Sequence, residues 1–198
     1  MNFEYHRNHA AHRTPRTGRI AALSLALLGA VMTAPAAAQT CRPTIESTAP
    51  DSRYDINGSE GTVYDNVTGL TWMRCVVGKT GRGCSGVATT MNWQTALQYT
   101  RDLNAGGGYA GETNWRVPNT KELGSLIERR CFSPAVNANV FPGMPSNFYL
   151  WSSTQNHFDT GTAGLSYAWS MHLYDGNDYR KPKINAYPYI LMLVRDSQ

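Results

Sequence analysis

The chain has 198 residues, with 18 lysines and arginines against 14 aspartates and glutamates, and its formal net charge is +4. Four of the basic residues and one of the acidic residues lie within the first 38 positions, which leaves 14 and 13 and a net charge of +1 for the rest. This balance gives no electrostatic support for nucleic-acid binding. The 160 residues after position 38 suit one domain with a substantial core.

The first 38 residues have the organisation of a secretory signal peptide. Arginines precede an apolar run over residues 20–32, and the segment ends in Ala36-Ala37-Ala38. We expect cleavage between Ala38 and Gln39. The apolar run is shorter than the roughly 18 to 20 residues that span a bilayer, and no later stretch is long enough. The sequence therefore predicts an exported protein, periplasmic, at the cell surface or secreted, with no membrane span after cleavage; an uncleaved N-terminal anchor is the alternative.

An even number of cysteines follows the predicted cleavage site: Cys41, Cys75, Cys84 and Cys131. In an exported chain this indicates two disulfides, with three possible connectivities. We favour Cys75 with Cys84, because this pair closes a short glycine-rich loop. Cys41 with Cys131 then ties the N-terminus to the core. A zinc site is the alternative, although the cysteines lack Cys-x2-Cys spacing and the histidines at 157 and 172 do not lie at ligand spacing from them.

Two short strands are predicted after a lead-in segment. The lead-in, residues 39–61, is rich in Pro, Ser, Thr, Asp and Gly, and we expect it to be loosely ordered and held by Cys41. Residues 62–65 and 70–74 have the composition of strands, and the residues between them favour a turn.

Two helices are predicted in the middle of the chain. In residues 92–103 apolar residues recur at the spacing of an amphipathic helix, which Asn92 or Thr90 can cap. The second helix begins after residue 118, where Asn119 and Glu122 have the spacing of a capping box. Capping explains Glu122 more simply than a catalytic role does. The predicted buried stripe of this helix is Leu123, Leu126 and Ile127.

The last third of the chain is predicted to be mainly β-structure. Prolines and glycines interrupt residues 132–148, which we expect to be irregular and to pack Val136, Val140 and Phe141 over the core. Strands are predicted at residues 149–154, 167–174 and 189–194. Asp175-Gly176, flanked by alternating residues, is the strongest hairpin signal in the sequence.

Five sequence blocks follow one another in the order found in a known family. They are Leu70-Thr71-Trp72, residues 93–103, Trp115-Arg116-Val117-Pro118 continuing to Leu123, Trp151-Ser152-Ser153-Thr154, and Ala168-Trp169 with the closing Val194-Arg195. Over roughly residues 63–195 the chain resembles the Lcl C-terminal domain family. The resemblance implies an exported bacterial protein with a C-type-lectin-like fold. It also implies, from the adhesin that names the family, binding to sulfated polysaccharides, although this chain lacks that adhesin's collagen-like Gly-X-Y stalk.

The expected fold class is therefore α+β, with two helices packed on a mainly antiparallel sheet in a C-type-lectin-like domain. The expected organisation is a signal peptide over residues 1–38, the lead-in over 39–61 and the Lcl C-terminal-like domain over 62–198.

A calcium site is one candidate at the predicted hairpin tip. Asp175, Asn177 and Asp178 place three oxygen-bearing side chains close together, and calcium takes six to eight oxygen ligands. The Glu-Pro-Asn and Trp-Asn-Asp motifs of calcium-dependent lectins do not occur in the sequence. A solvated turn is the alternative interpretation, and no other cofactor is expected.

Basic clusters are the second candidate, because arginine and lysine bind sulfate oxygens through charge-assisted hydrogen bonds. One cluster is Arg129-Arg130, and the other is Arg180 and Lys181 with Lys183, in the loop expected after the hairpin. Tyr179 or Tyr187 would stack on a sugar. Ordinary solubilising charge is the alternative interpretation.

Catalytic groups are scarce in the sequence. Ser152 and Ser153 do not lie in a Gly-x-Ser-x-Gly elbow, and a cysteine-based oxidoreductase would need Cys75 and Cys84 to be unpaired. We therefore expect an exported, non-enzymatic ligand-binding or adhesion domain whose partner is an extracellular glycan or other cell-surface polymer. The alternative is a structural subunit that binds a protein of the envelope or of an extracellular assembly.

Overall fold

Ten strands, two α-helices and one short 3₁₀ helix make up the part of the chain that the computed structural model describes, residues 39–156 and 166–197. The predicted signal peptide, residues 1–38, lies outside the described residues. Within the described ranges, no helix has the length and apolar character needed to cross a membrane.

The first sheet has four antiparallel strands in the order β10-β4-β3-β2. They are β2 (Tyr54–Asn57), β3 (Thr62–Asp65), β4 (Leu70–Met73) and β10 (Val194–Asp196). The predicted strands at 62–65 and 70–74 are confirmed, with a turn between them closed by the Gly69 amide donating to the Asp65 carbonyl at 2.8 Å. Pairing of β10 with β4 brings the C-terminal part of the domain beside its N-terminal strands.

The second sheet has four strands in the order β8-β7-β6-β9. They are β6 (Tyr149–Gln155), β7 (Tyr167–His172), β8 (Asp178–Pro182) and β9 (Tyr189–Ile190). All neighbours are antiparallel except β6 and β9, which are parallel. The prediction of one strand over residues 189–194 is wrong, because the chain leaves this sheet after β9 and joins the first sheet at β10.

The predicted loosely ordered lead-in is also corrected by the structure. Residues 39–61 contain β1 (Thr40–Cys41), a 3₁₀ helix (Asp51–Arg53) and β2. Strand β1 pairs with β5 (Cys131–Phe132). The buried carboxylate of Glu128 accepts hydrogen bonds from the hydroxyl of Ser47 and from the amides of residues 48 and 49. These long-range contacts order a segment whose composition favours turns.

Both helices begin where their capping residues predict. Helix α1 (Trp93–Ala105) is capped by Asn92, whose side chain accepts from the Thr95 amide at 2.8 Å. Helix α2 (Thr120–Ser125) has the predicted capping box, in which Asn119 accepts from the Glu122 amide at 3.0 Å. The Glu122 carboxylate in turn accepts from the Asn119 amide at 2.7 Å. Arg116 donates to Glu122 as well, so this carboxylate is engaged in holding the start of α2.

One apolar core receives side chains from both sheets and both helices. Its buried members include Leu123 on α2, with Leu126 and Ile127 directly after that helix, and Val136, Val140 and Phe141 of the irregular segment. Among its largest side chains are Trp72 on β4 and Trp151 on β6. The predicted fold class, α+β with mainly antiparallel sheets, is confirmed at this level.

Two disulfides connect the four cysteines in the favoured arrangement. Cys41 pairs with Cys131 and Cys75 pairs with Cys84, and no cysteine is free. The first bond spans 90 positions and fastens β1 to β5, whereas the second spans nine positions and closes the loop after β4. The cysteines therefore serve as cross-links, and the zinc alternative is excluded for them.

Candidate functional site

The predicted hairpin joins β7 to β8, and its turn is built around Asp175 and Gly176. The Gly176 amide donates to the His172 carbonyl at 2.8 Å, and the Asn177 amide donates to the Asp175 side chain at 3.0 Å. Gly176 has a φ of +72°, and a Cβ there would lie 2.8 Å from a methyl group of Ile127. Both the backbone conformation and the space beneath the turn require glycine.

The hairpin tip carries the residues considered for calcium, and Asp175 already has partners for both of its oxygens. Oδ1 accepts from the Asn177 amide and lies 3.2 Å from His172 Nδ1, while Oδ2 accepts from the Tyr179 hydroxyl at 3.1 Å. Burial opposes ionisation, but these hydrogen bonds and the nearby His172 hold the pKa of Asp175 below its ordinary value. The structure thus uses Asp175 to brace the hairpin.

The other two calcium candidates, Asn177 and Asp178, lie where the turn ends and β8 begins. Asn177 is exposed at the end of the turn, and Asp178 is the first residue of β8. Partial burial raises the pKa of Asp178, and the positive charge of Arg129 opposes this shift. Among the described residues, no group of three or more His, Cys, Asp or Glu side chains is placed to hold a metal ion. Calcium binding at the tip remains a prediction.

Arg180 and Lys181 lie in β8, and the expected loop position for them is wrong. In the register of β8 with β7, Arg180 lies opposite Trp169 and Lys181 opposite Ala168. The sequence signal was weak because lysine, arginine and proline disfavour central strands. Strand β8 is an edge strand, where these residues are tolerated and where they discourage pairing with other strands.

The basic residues of this segment do not form one patch. Each approaches the face of an aromatic ring: Arg180 lies 5.0 Å from the Tyr167 ring, Lys181 lies 4.4 Å from the Tyr149 ring and Lys183 lies 4.4 Å from the Trp93 ring. Lys183 also donates to Gln155 at 3.1 Å. Because successive side chains of a strand point to opposite faces, Arg180 is separated from Lys181 by the sheet.

Lys181 reaches across the sheet to strand β6. Its Nζ lies 4.4 Å from the ring centre of Tyr149 and 5.1 Å from that of Tyr179. The intervening side chains on this face of β7 are the small Ala168 and Ser170, both fully buried. These small residues leave room for the lysine to lie over β7 between two tyrosines.

An aromatic surface extends along the sheet from this lysine. Tyr149 and His172 are register partners whose rings stack with centroids 4.4 Å apart, and the Tyr174 ring lies 6.1 Å from His172. Tyr179 meets Tyr149 and His172 edge-on, at 5.7 and 5.8 Å. We call Tyr149, His172, Tyr174, Tyr179 and Lys181 the aromatic platform. Its members are partly exposed, and Tyr174 is 42% exposed.

Residues 61–195 match the model of the Lcl C-terminal domain. The chain belongs to the Lcl C-terminal domain family. No protein with a curated description matches the sequence.

The Lcl C-terminal domain contains the whole aromatic platform. Strands β1 and β2 precede the matched residues, yet β2 extends the first sheet and Cys41 in β1 is bonded to Cys131 within the domain. Residues that precede the matched range are therefore part of the fold of this chain.

The remaining predicted cationic residues lie between α2 and β5 of the Lcl C-terminal domain. Arg130 Nε lies 3.7 Å from the buried carboxylate of Glu128, so its charge offsets a structural anion. Arg129 is exposed, and its charge acts on Asp178. Of the predicted binding residues, the structure brings Tyr179 and Lys181 into the platform and leaves Arg129, Arg130, Arg180 and Lys183 outside it.

Sequence reasoning missed three residues of the platform. His172 has no partner near it in the sequence, and its ring stacks on Tyr149, which precedes it by 23 positions. Tyr174 follows β7 and faces the same group. Strand alternation would have placed Tyr149 and Trp151 on one face, and the hairpin register would then have added His172. Tyr187, considered for stacking, instead lies edge-on to Phe148 at 5.7 Å.

Proposed function

We propose that the protein is an exported, non-enzymatic domain with a C-type-lectin-like fold that binds a glycan, neutral or sulfated, at the aromatic platform. The fold proposal is supported by the two helices between the N-terminal strands and the C-terminal β-structure, and by the pairing of β10 with β4. Two disulfides are consistent with an oxidising compartment outside the cytoplasm. Pairing of all four cysteines leaves no thiol for a cysteine-based reaction.

The observation that carries the proposal is the position of Lys181 between the rings of Tyr149 and Tyr179. Partly exposed aromatic rings offer apolar faces for the C–H faces of sugar rings and polar edges for hydroxyl groups. Within residues 39–156 and 166–197, the Lys181 ammonium donates no hydrogen bond, so its N–H groups are available to an incoming hydroxyl, carboxylate or sulfate. One surface thus combines stacking with a cationic donor.

The rings of the platform are held in place by contacts within the protein. The Tyr179 hydroxyl is held by Asp175, and the Tyr149 ring is packed against Tyr189, whose side chain is 3% exposed, at 5.3 Å. Rings already fixed in place lose little conformational freedom when a ligand binds. The platform therefore requires little reorganisation to receive a sugar.

The test is binding of the purified exported protein to an array of neutral and sulfated glycans, at two salt concentrations and with calcium or a chelator. We expect binding that the Lys181→Met variant weakens on the order of tenfold, as loss of about 1.4 kcal/mol of charge-assisted hydrogen bonding from Lys181 to the ligand would produce. Lys121→Met is the matched control, because Lys121 is exposed on α2. Chelator-sensitive binding would point to the hairpin tip instead. An array on which no glycan binds would overturn the proposal in favour of an envelope protein partner.

A further inference from the structure

A concave site shares no residue with the aromatic platform. This cleft, of about 320 Å³, opens between the β2–β3 turn, the disulfide-closed loop after β4 and the C-terminal half of α1. Its size falls at the lower end of the range for small-molecule sites in proteins, roughly 300 to 1,000 Å³.

One side of the cleft is apolar. Its floor is formed by Met73, Val76 and Val77, which are 6%, 1% and 5% exposed. The partly buried side chains of Tyr99, Leu103 and Tyr109 complete the wall. An apolar group of a ligand would lose its water contacts here against side chains that already belong to the core.

The walls of the cleft are fixed by covalent and hydrogen bonds. Cys75, in the lining, is bonded to Cys84, and the Val77 amide donates to the Leu191 carbonyl at 2.9 Å. The Tyr109 hydroxyl donates to the Gly61 carbonyl at 3.2 Å. A Cβ on Gly61 would lie 2.2 Å from that hydroxyl oxygen, so the contact depends on glycine. The cleft is therefore formed before a ligand arrives.

Two opposite charges line the cleft near its surface. Glu60 uses Oε2 to accept from the Asn57 amide group at 2.7 Å, which leaves Oε1 for a ligand. Lys79 donates one N–H to the Cys84 carbonyl at 3.3 Å, which leaves two N–H groups. In the described part of the chain, neither residue forms a salt bridge. One anion and one cation are thus present in a lining that is otherwise largely apolar or uncharged.

We propose that this cleft binds a free amino acid with an apolar side chain. The side chain would lie on the floor formed by Met73, Val76 and Val77, with the ammonium group toward Glu60 and the carboxylate toward Lys79. Such a ligand matches the three properties of the site at once: a small volume, an apolar side and one charge of each sign. This inference is independent of glycan binding at the platform.

The first test is calorimetric titration of the purified protein with L-leucine and L-phenylalanine. Three further probes separate the contributions: glycine lacks the apolar side chain, 3-methylbutylamine lacks the carboxylate and 4-methylpentanoic acid lacks the ammonium group. We expect each of the three to bind at least about tenfold more weakly than leucine, which corresponds to the loss of about 1.4 kcal/mol or more with the missing contact. Equal binding of leucine and the amine or acid would overturn the zwitterion assignment.

Variants at the two charged residues locate the binding. Lys79→Met and Glu60→Gln are each expected to weaken leucine binding about five- to tenfold, while Lys121→Met on α2 leaves it unchanged. Leucine binding that both cleft variants retain in full would contradict the proposed site, as would the absence of binding by leucine and phenylalanine at tens of millimolar. No cleft residue belongs to the platform, so the cleft variants should bind glycans as the wild type does. A glycan assay of the same variants therefore distinguishes a failure of the amino-acid site from a failure of the glycan site.

Discussion

The two four-stranded sheets use charged and aromatic residues in different ways. Beside the first sheet, Arg53 of the 3₁₀ helix and Asp65 of β3 form a buried pair, with Nε donating to Oδ1 at 2.7 Å and side-chain exposures of 9% and 0%. In the second sheet, Lys181 has aromatic faces as its neighbours and stays partly exposed. A charge with a buried, hydrogen-bonded partner stabilises the fold, whereas a charge without one remains available to a ligand.

The largest expected effect comes from breaking the buried pair beside the first sheet. Hydrogen bonds from Arg53, Thr68 and the Val67 amide outweigh burial and lower the pKa of Asp65. Replacing Asp65 with alanine leaves the Arg53 charge buried and unpaired, which we expect to cost about 3–5 kcal/mol of unfolding free energy. Urea denaturation measures this loss.

Asp55→Ala is the matched control for Asp65→Ala, because Asp55 is exposed on the neighbouring strand β2. We expect the control to change the unfolding free energy by no more than about 0.5–1 kcal/mol. Similar losses in the two variants would contradict a special role for the buried pair.

The next effect is the pH dependence of stability that comes from Glu128, which anchors the N-terminal segment. Although burial opposes it, hydrogen bonds from Ser47 and from nearby backbone amides lower the pKa of Glu128 below its ordinary value of 4.5. A lowered folded-state pKa means that this carboxylate stabilises the fold above pH 4.5 and that the contribution is lost as the pH falls through the folded-state value.

Glu128→Gln should therefore cost about 1–3 kcal/mol at pH 7 and should flatten the decline of the melting temperature below pH 4.5. Thermal unfolding followed by circular dichroism between pH 2 and 7 provides the measurement. A variant with the same acid dependence as the wild type would show that Glu128 is not the responsible group.

The smallest expected effect is the change in stability that Lys181→Met causes. Lys181→Met removes interactions with two partly exposed rings, which are worth about 0.5–1 kcal/mol each at such sites, and methionine restores part of the packing. We expect the melting temperature to change by only a few degrees. A loss comparable with that of Asp65→Ala would mean that Lys181 serves the fold as much as a ligand.

Local signals in the sequence predict much of the first sheet and both helices. Residues 62–65 carry strand-forming residues, and Asn119 with Glu122 has the spacing of a capping box, so each element is specified within a few positions. Local signals do not predict that residues 189–194 are divided between two sheets. From Ile190 to Val194 every side chain is fully buried, and a uniformly apolar run has no period that shows where the chain passes from one sheet to the other.

The candidate site was predictable only in part, because its residues come from three strands and a turn. Tyr179 and Lys181 were found as neighbours in sequence, but Tyr149 joins them through the pairing of β6 with β7. The order of the lead-in, residues 39–61, was not predicted for the same reason. Its partners Glu128 and Cys131 lie about 80 to 90 positions away in the sequence. Composition describes local preference and carries no information on such partners.

The most direct test of the central claim compares an exposed tyrosine of the aromatic platform with an exposed tyrosine of the first sheet. Tyr174 in the platform is 42% exposed, and Tyr64 on β3 of the first sheet is 37% exposed. Glycan titrations of Tyr174→Ala and Tyr64→Ala, with any glycan that the wild type binds, should show weakening of about five- to tenfold in the first variant and no change in the second. Unchanged binding in Tyr174→Ala, or an equal loss in Tyr64→Ala, would contradict the assignment of the aromatic platform as the binding site.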